Sequence, residues 1–552
     1  MKQQSFLNAT VLTVALVFPF SLFAEPLEYR KKFIELGWDI PNTAYLKEHH
    51  EEMQRTTPFD GVKLALEATA PDGKRYSSQS MMDTQPWNPA WFATAIEDLK
   101  ACRWTTFTDN FVRVNFSPGR IDWDDDEGWR IFCEKTALCA RIAKETDLKG
   151  LSIDFEPYGK AIFKYDAESG LTFEATKQIV RERGQQWMEA IAVEYPEMVL
   201  FTLFIADVNL QAGYDFRPDN ILKTLHYGLL PAFFDGMLDA VPPEMRIVDG
   251  CETGYYKNGF DEFCRLALAI KSLGGPAIRL VAPEHREKYI RQVQVGFGFY
   301  LDMYTNPEGN VYYRGPKEGG TRLDRLVENL TAAFDTTDEY VWIYGEQKYW
   351  WKPANDSRVK EQHWDEAMPG MGWAIQFVKN PREAATRQLE MLRQENRAIN
   401  LLKNPDFAES KADWSFWQDK PLGTFNWDDG SGKVSKVEWG CILQNIRPVQ
   451  PGEWYYVSMD SKQQGAGEIG VRIYWQDSDG KYLWHVPDRY LPFEDEPAPI
   501  DDRPLADGWR RAKGIVRIPD GVSVLQLQAG VRGQAGEADA AWFGNAVVIR
   551  LR

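Results

Sequence analysis

Asp154 and Glu156 lie two residues apart in Lys149-Gly150-Leu151-Ser152-Ile153-Asp154-Phe155-Glu156-Pro157-Tyr158-Gly159, where Leu151, Ile153 and Phe155 alternate with Ser152, Asp154 and Glu156. A period of two puts both carboxylates on one face of a β-strand, and Pro157 and Gly159 stop the strand. Two acids sharing a face repel each other when both are ionised, so one pKa rises. A carboxyl that keeps its proton near neutral pH is a general acid. The same pair would also serve as a strand-end partner for Arg or as a helix cap, so the chemistry depends on what else converges there. Other strand-like runs end in acids or aromatics too: Trp38-Asp39, Glu67, Asp207, Glu252, Asp302 with Tyr304, and Glu346, the last preceded by Trp342 and Tyr344.

The elements that must position these groups alternate along the chain. Strands are expected over 33–39, 61–67, 111–116, 150–156, 198–204, 245–252, 295–304 and 340–346. Helices are expected over 41–55, 88–103, 126–146, 173–195, 221–238, 260–273, 323–334 and 381–399, the first capped by Asn42 or Thr43. Met198 to Phe204 is an unbroken apolar run, as a parallel strand covered on both faces requires. Eight strand–helix alternations imply an α/β fold, a (β/α)8 TIM barrel over 25–399, with reactive groups at strand C-termini. An open doubly wound sheet finds no support, because no Gly-rich fingerprint follows a strand. From about Leu401 helical spacing stops and short alternating strands begin, among them Trp454–Ser458, Val471–Trp475, Gly514–Ile518, Val524–Leu527 and Ala546–Ile549, with a turn at Asp477–Gly480. This predicts an all-β jelly-roll sandwich over 400–552.

Composition narrows the class. The 552 residues exceed one ordinary core, and the formal charge of −17 with no basic tract argues against nucleic acid and anionic membranes as partners. The 21 Trp are an unusual number, and a surplus of aromatics suits sugar rings, whose C–H faces stack on aromatic planes. Residues 1–24 read as a secretory signal peptide: Lys2, a short apolar run from Leu7 to Phe23, and Ala24 before Glu25. The expected location is secreted or periplasmic, with no stable membrane insertion after cleavage. The six cysteines form no CxxC pair and His is scarce, so no metal and no cofactor is expected. Export permits disulfides, with Cys102 to Cys133 or Cys139, and Cys251 to Cys264, as candidates.

The run from Lys149 to Gly159 resembles the fourth-strand signature of family 18 chitinases and related barrel glycosidases, which reads roughly Asp-Gly-x-Asp-x-Asp-x-Glu. The match falls on Gly150, Asp154 and Glu156. The resemblance implies that Glu156 protonates the glycosidic oxygen and that Asp154 orients the substrate. Glu156-Pro157 is similar to the Asn-Glu-Pro of the large retaining clan of barrel glycosidases, which places a second acid after the seventh strand, where this chain has Asp302. The C-terminal region resembles the jelly-roll carbohydrate-binding modules attached to secreted glycosidases. Asn400–Phe407 matches their first strand and Ala541–Val548 their last, with Gly544 where those modules usually carry Asp.

Together these readings predict a glycoside hydrolase acting on O-glycosyl bonds of a poly- or oligosaccharide, which needs one carboxylic acid and one carboxylate. Glu156 is the expected acid, with Asp154, Glu252 or Glu346 as its catalytic partner. Trp38, Asp39, Asp302, Tyr304, Trp342 and Tyr344 are the expected substrate-binding residues. The alternative is a non-catalytic carbohydrate-binding surface protein with a degenerate barrel, because Lys149 and Ser152 stand where the family signature has Asp. A lyase or deacetylase has less support, since the chain lacks the His/Asp metal clusters of deacetylases.

Overall fold

The computed structural model describes residues 30–318, 320–352, 362–486, 489–494, 505 and 508–551. The expected signal segment, 1–24, lies outside them. The chain divides into two compact units, 1–363 and 364–552.

In the first unit, parallel strands line up in one sheet: β1 (Lys32–Gly37), β2 (Gly61–Leu64), β3 (Phe111–Asn115), β4 (Gly150–Asp154), β5 (Val199–Thr202), β6 (Arg246–Asp249), β7 (Val293–Val295), β8 (Phe297–Tyr300) and β9 (Tyr340–Gly345). Each pairs with its sequence neighbour from β1 to β7. β8 pairs with β9, and β9 returns to β1 with Ile34 opposite Trp342. β7 and β8 are two halves of one run broken at Gly296, so one stretch of chain supplies both ends of the sheet, which is thus nearly closed into a barrel. A Cβ on Gly296 would meet Val248 Cγ1 at 2.9 Å and the Tyr340 carbonyl at 3.2 Å, so no larger side chain fits without displacing a neighbour. At the start of β4, a Cβ on Gly150 would lie 2.1 Å from the Val199 carbonyl.

Helices alternate with the strands: α1 (Thr43–Thr56), α2 (Ala93–Ala101), α3 (Asp126–Glu145), α4 (Phe173–Glu194), α5 (Leu230–Ala240), α6 (Phe260–Lys271) and α7 (Arg322–Thr336). Their starts are fixed by side-chain caps that satisfy free amides. Asn42 accepts from the Tyr45 amide at 3.0 Å, Asp125 from Gly128 at 2.8 Å, and Thr321 forms a capping box with Asp324. Every residue of β4 and β5 is buried, which matches their apolar character and a sheet covered by helices.

Three expectations within this unit change. The single helix expected over 221–238 is broken: Pro218–Leu222 is a short helix of its own, and α5 starts at Leu230 ahead of Pro231, a residue suited to a first helical turn. The strand expected over 295–304 ends at Tyr300 and continues as a 3-10 turn, Leu301–Tyr304. Glu67 does not end β2 but begins a short hairpin with Arg75–Ser77, where it is exposed and accepts from Asn42. All six cysteines are free thiols, so neither candidate disulfide forms.

The second unit contains a β-sandwich of a five-stranded and a six-stranded antiparallel sheet. Its core interleaves Ile442, Val457, Ile473, Leu527 and Val548 from the two inner faces. Asn400–Phe407 is not a strand, although Asn400 bridges to Ile549 and its side chain binds the Val548 amide and Ala546 carbonyl. Helices α8 (Met371–Lys379) and α9 (Pro381–Gln394) belong to this unit. Phe377, Ala384, Ala385, Leu389 and Leu392 pack on Tyr456, Ile549 and Leu551, on the outer face of the six-stranded sheet. The helix expected to close the barrel series therefore covers the sandwich, because its apolar stripe meets the outward-facing apolar positions of two sandwich strands.

Candidate active site

Residues at and just beyond the C-terminal ends of the parallel strands enclose a cavity of about 530 Å³. Glu156 reaches it from the end of β4, Glu252 from the end of β6 and Glu346 from the end of β9. Trp38, Trp342 and Tyr344 line it, joined by Arg113, Asn115, Tyr158, Tyr255, Tyr300 and Tyr312, which the sequence reading did not single out.

Asp154 is buried under this floor rather than open to it. Arg113 Nη2 donates to its Oδ2 at 3.0 Å, the Tyr158 hydroxyl donates to the same oxygen at 3.2 Å, and the Glu156 amide donates to Oδ1 at 2.9 Å. Arg113 in turn donates from Nε to Asn115 Oδ1 at 3.0 Å. With its acceptor positions taken by these donors, Asp154 fixes the backbone of Glu156 and the rings around it. The Glu156 carboxyl is pushed above its usual range, first by burial and second by the negative charge of Asp154.

Glu252 is held differently. Its carboxyl makes no hydrogen bond to another described residue, and burial, reinforced by the charges of Asp154, Asp207 and Glu156, pushes its pKa up to about 8. The chain that presents it is anchored by two acids behind the cavity. Asp249 accepts from the Ile205 and Ala206 amides at 3.0 and 2.9 Å, and Asp207 accepts from the Thr253 amide at 3.0 Å. Asp207, flagged as a strand-end acid, thus holds the Glu252 turn and is itself pushed up to about 7 by burial and then by Asp249. Cys251, directly before Glu252, and Tyr158, two residues after Glu156, both sit in the left-handed region at φ 39°. For side chains with a Cβ this conformation costs free energy, and such strain collects where geometry serves a site.

Glu346 sits in an aromatic box. The Tyr344 hydroxyl donates to its Oε1 at 3.1 Å, Trp38 Nε1 donates to the Tyr344 hydroxyl at 3.1 Å, and the Tyr300 hydroxyl faces the same carboxylate. Tyr255 stacks on Tyr344, with ring centroids 5.9 Å apart and planes within 9°.

The remaining expected substrate-binding residues do not line the cavity. Asp39 is 1% exposed, accepts from the Trp350 amide at 2.8 Å and lies beside the Glu35 carboxyl; burial pushes it up to about 6. Asp302 is fully buried, accepts from the Glu346 amide at 2.8 Å and pairs with Lys348 at 3.3 Å, so it positions the Glu346 turn. Tyr304 stacks on Phe299 and accepts from Asn329 at 2.8 Å, inside the packing behind the sheet. Beneath the cavity, Lys63 is fully buried with its Nζ 3.9 Å from the Phe201 ring centroid, and burial lowers its pKa well below the usual lysine range. Among the described residues, no group of His, Cys, Asp and Glu has the arrangement of a metal site.

No protein-family model matches the sequence, and no curated protein matches it either. Among solved structures, the chain is similar to the enzymatically active domain of bacteriophage CBA120 tailspike protein 4, at 14% identity over 28% of this chain and 21% of that one, with a TM-score of 0.22. It is similar to TmCBM61 in complex with β-1,4-galactotriose, at 14% identity over 28% of this chain and 99% of that one, TM-score 0.19. It is also similar to the CBM22-1–GH10 modules of Clostridium thermocellum xylanase 10B with xylohexaose, at 11% identity over 28% of each chain, TM-score 0.20. The tailspike alignment spans about a fifth of that protein's chain.

Proposed function

We propose that this chain is a secreted or periplasmic glycoside hydrolase, a (β/α)8 barrel followed by a jelly-roll sandwich, with its active site in the cavity at the strand C-termini. The observation that carries the reading is the pair Glu156 and Glu252. Both line one cavity, and both are pushed upward in pKa by burial and by neighbouring carboxylates.

Glycosidic cleavage needs one carboxyl that donates a proton to the leaving oxygen and one carboxylate that attacks the anomeric carbon or activates water. Burial divides these roles. Glu252, protonated up to about pH 8, is the acid. Glu156 sits beside Asp154, whose carboxylate is paired with Arg113 at 3.0 Å and holds the Glu156 amide; ionised Glu156 is the base or nucleophile. This reverses the role that the fourth-strand resemblance implied for Glu156. Asp154 positions Glu156 through its amide, and Tyr158 bridges to the same carboxylate. The aromatic wall of Tyr255, Tyr300, Tyr344 and Trp342 offers ring faces on which a sugar can stack.

The test is turnover of a polysaccharide panel by the wild-type chain and by Glu156→Gln and Glu252→Gln. Each variant should lose about 10²–10⁴-fold in kcat while still binding the glycan. Variants that bind and turn over like wild type, or a wild-type chain that binds sugar and cleaves none, would leave the alternative of a carbohydrate-binding barrel.

A further inference from the structure

We infer that the sugar taken by this cavity carries a free ammonium group, so that the substrate is a glycan of unacetylated amino sugars; the inference rests on the hydrolase reading above and names its substrate class. Hydrolysis accounts for two of the three carboxylates that enter the cavity. Glu346 is the third, and it lies on the far side of the barrel from Glu156, at the end of β9. Of the described side chains that line the cavity, Arg113 is the one cation, and its guanidinium is committed to Asp154 at 3.0 Å. Among the described residues that line the cavity, none forms an ion pair with Glu346.

The surroundings of Glu346 are selective in a second, independent way. Its neighbours are ring systems rather than amides: Tyr344 and Tyr300 turn their hydroxyls to the carboxylate, and Trp38 closes the box through Tyr344. Tyr300 and Tyr344 are 5.3 Å apart at 34°, and Tyr255 stacks on Tyr344, so the box is a packed set of rings whose hydroxyl edges meet the carboxylate. The carboxylate supplies a charge-assisted hydrogen bond to an ammonium, and the tyrosine hydroxyl oxygens around it offer further acceptors. A hydroxyl in the same place would satisfy the hydrogen bond but leave the carboxylate charge without a counterion in a partly desolvated pocket. A uronate would add a further negative charge beside Glu346 and be repelled. An N-acetyl group would bring a neutral, bulkier amide, which can donate to the carboxylate but leaves its charge without a counterion.

The experiment uses the full mature chain. Binding of glucosamine and galactosamine is compared by calorimetry with that of glucose, galactose and their N-acetylated amino counterparts, at a pH where the amines are protonated. The expected result is that at least one amino sugar binds about tenfold or more tightly than its hydroxyl and N-acetyl counterparts. The preference should shrink as salt is raised and vanish in Glu346→Gln. Equal affinities, no binding of any amino sugar, or a preference that survives Glu346→Gln would overturn the inference. Should the variant fail to fold, the wild-type preference and its salt dependence decide alone. The hydrolase reading fails separately. Amine-selective binding without cleavage of any glucosamine or galactosamine polymer would sink the hydrolase and keep the cation site. Cleavage of a neutral glycan with no amine preference would do the reverse.

Discussion

Arg113 and Asp154 form the buried ion pair beneath the cavity, N to O 3.0 Å, with the Asp154 side chain 1% exposed and the Arg113 side chain 13%. The two residues come from adjacent parallel strands and are two residues out of register, Arg113 lying opposite Ser152 and Asn115 opposite Asp154. Removing one partner of such a pair strands the other charge away from water, and that penalty exceeds what the pair contributes over neutral residues. Arg113→Met should therefore lower stability by about 3–5 kcal/mol in denaturant titrations. Adding Asp154→Asn in the same chain should recover much of the loss. An Arg113→Met chain as stable as wild type would show that Asp154 has another source of compensation.

In the proposed hydrolase the raised pKa of Glu252 ties activity to pH. As the acid it must be protonated, so kcat/KM should fall as pH rises through about 8. Glu156 must be ionised, so the rising limb should lie above the ordinary glutamate value of 4.5. A rate profile with both limbs at ordinary carboxylate values would contradict the division of roles.

The same shift governs stability. Glu252 binds its proton more tightly in the folded chain, at about 8, than in the unfolded chain, near 4.5. Between those values the folded state holds the extra proton, so this group makes stability fall as pH rises across the window. Glu252→Gln never ionises. Its melting temperature should equal that of wild type near pH 4 and exceed it increasingly up to about pH 8, then level off. A constant difference at all pH values would mean that Glu252 is not buried in its charged form.

Gly150, within the fourth-strand signature, combines a positive φ of 156° with a close approach to the neighbouring strand. Gly150→Ala would put a methyl group 2.1 Å from the Val199 carbonyl, which belongs to the neighbouring strand and cannot move without shifting β5. The expected cost is about 1–3 kcal/mol in thermal or denaturant unfolding. An alanine variant of unchanged stability would show that the strands part more easily than their pairing implies.

In the second unit, Leu389 is fully buried between α9 and the six-stranded sheet. Leu389→Ala should cost about 2–5 kcal/mol of stability, read as an earlier unfolding transition. An unaltered transition would mean that the helix contributes no apolar burial to the sandwich.

What could be read from the sequence follows from periodicity. Runs such as Val199–Thr202 and Gly150–Asp154 are short, apolar or alternating, and closed by turn residues, so the strand series and the change to sandwich patterning were legible. Glu156, Glu252 and Glu346 were legible for the same reason, since each directly follows a strand-like run. Arg113 and Asn115 alternate with Val112 and Val114 on β3, so the signal that they share the face of Asp154 was present but carried no acid to draw attention. Asp39, Asp302 and Tyr304 were misplaced because strand ends turn away from the barrel within one or two residues, and sequence does not fix the direction of that turn. The destination of α9 was hidden as well. Its apolar stripe announces burial, but only the three-dimensional neighbourhood tells which sheet receives it.

Gly296 gives the ring a caliper. The wall bearing Glu252 follows the strand paired with one half of the broken run, and the tyrosine wall begins where the other half ends, so a single glycine spans the jaws. Because Val248 and Tyr340 both stand within 3.2 Å of the place a Cβ would take, any larger residue there would have to push one of the two neighbouring strands outward. The width of the ring at this point is thus set by an atom the protein omits.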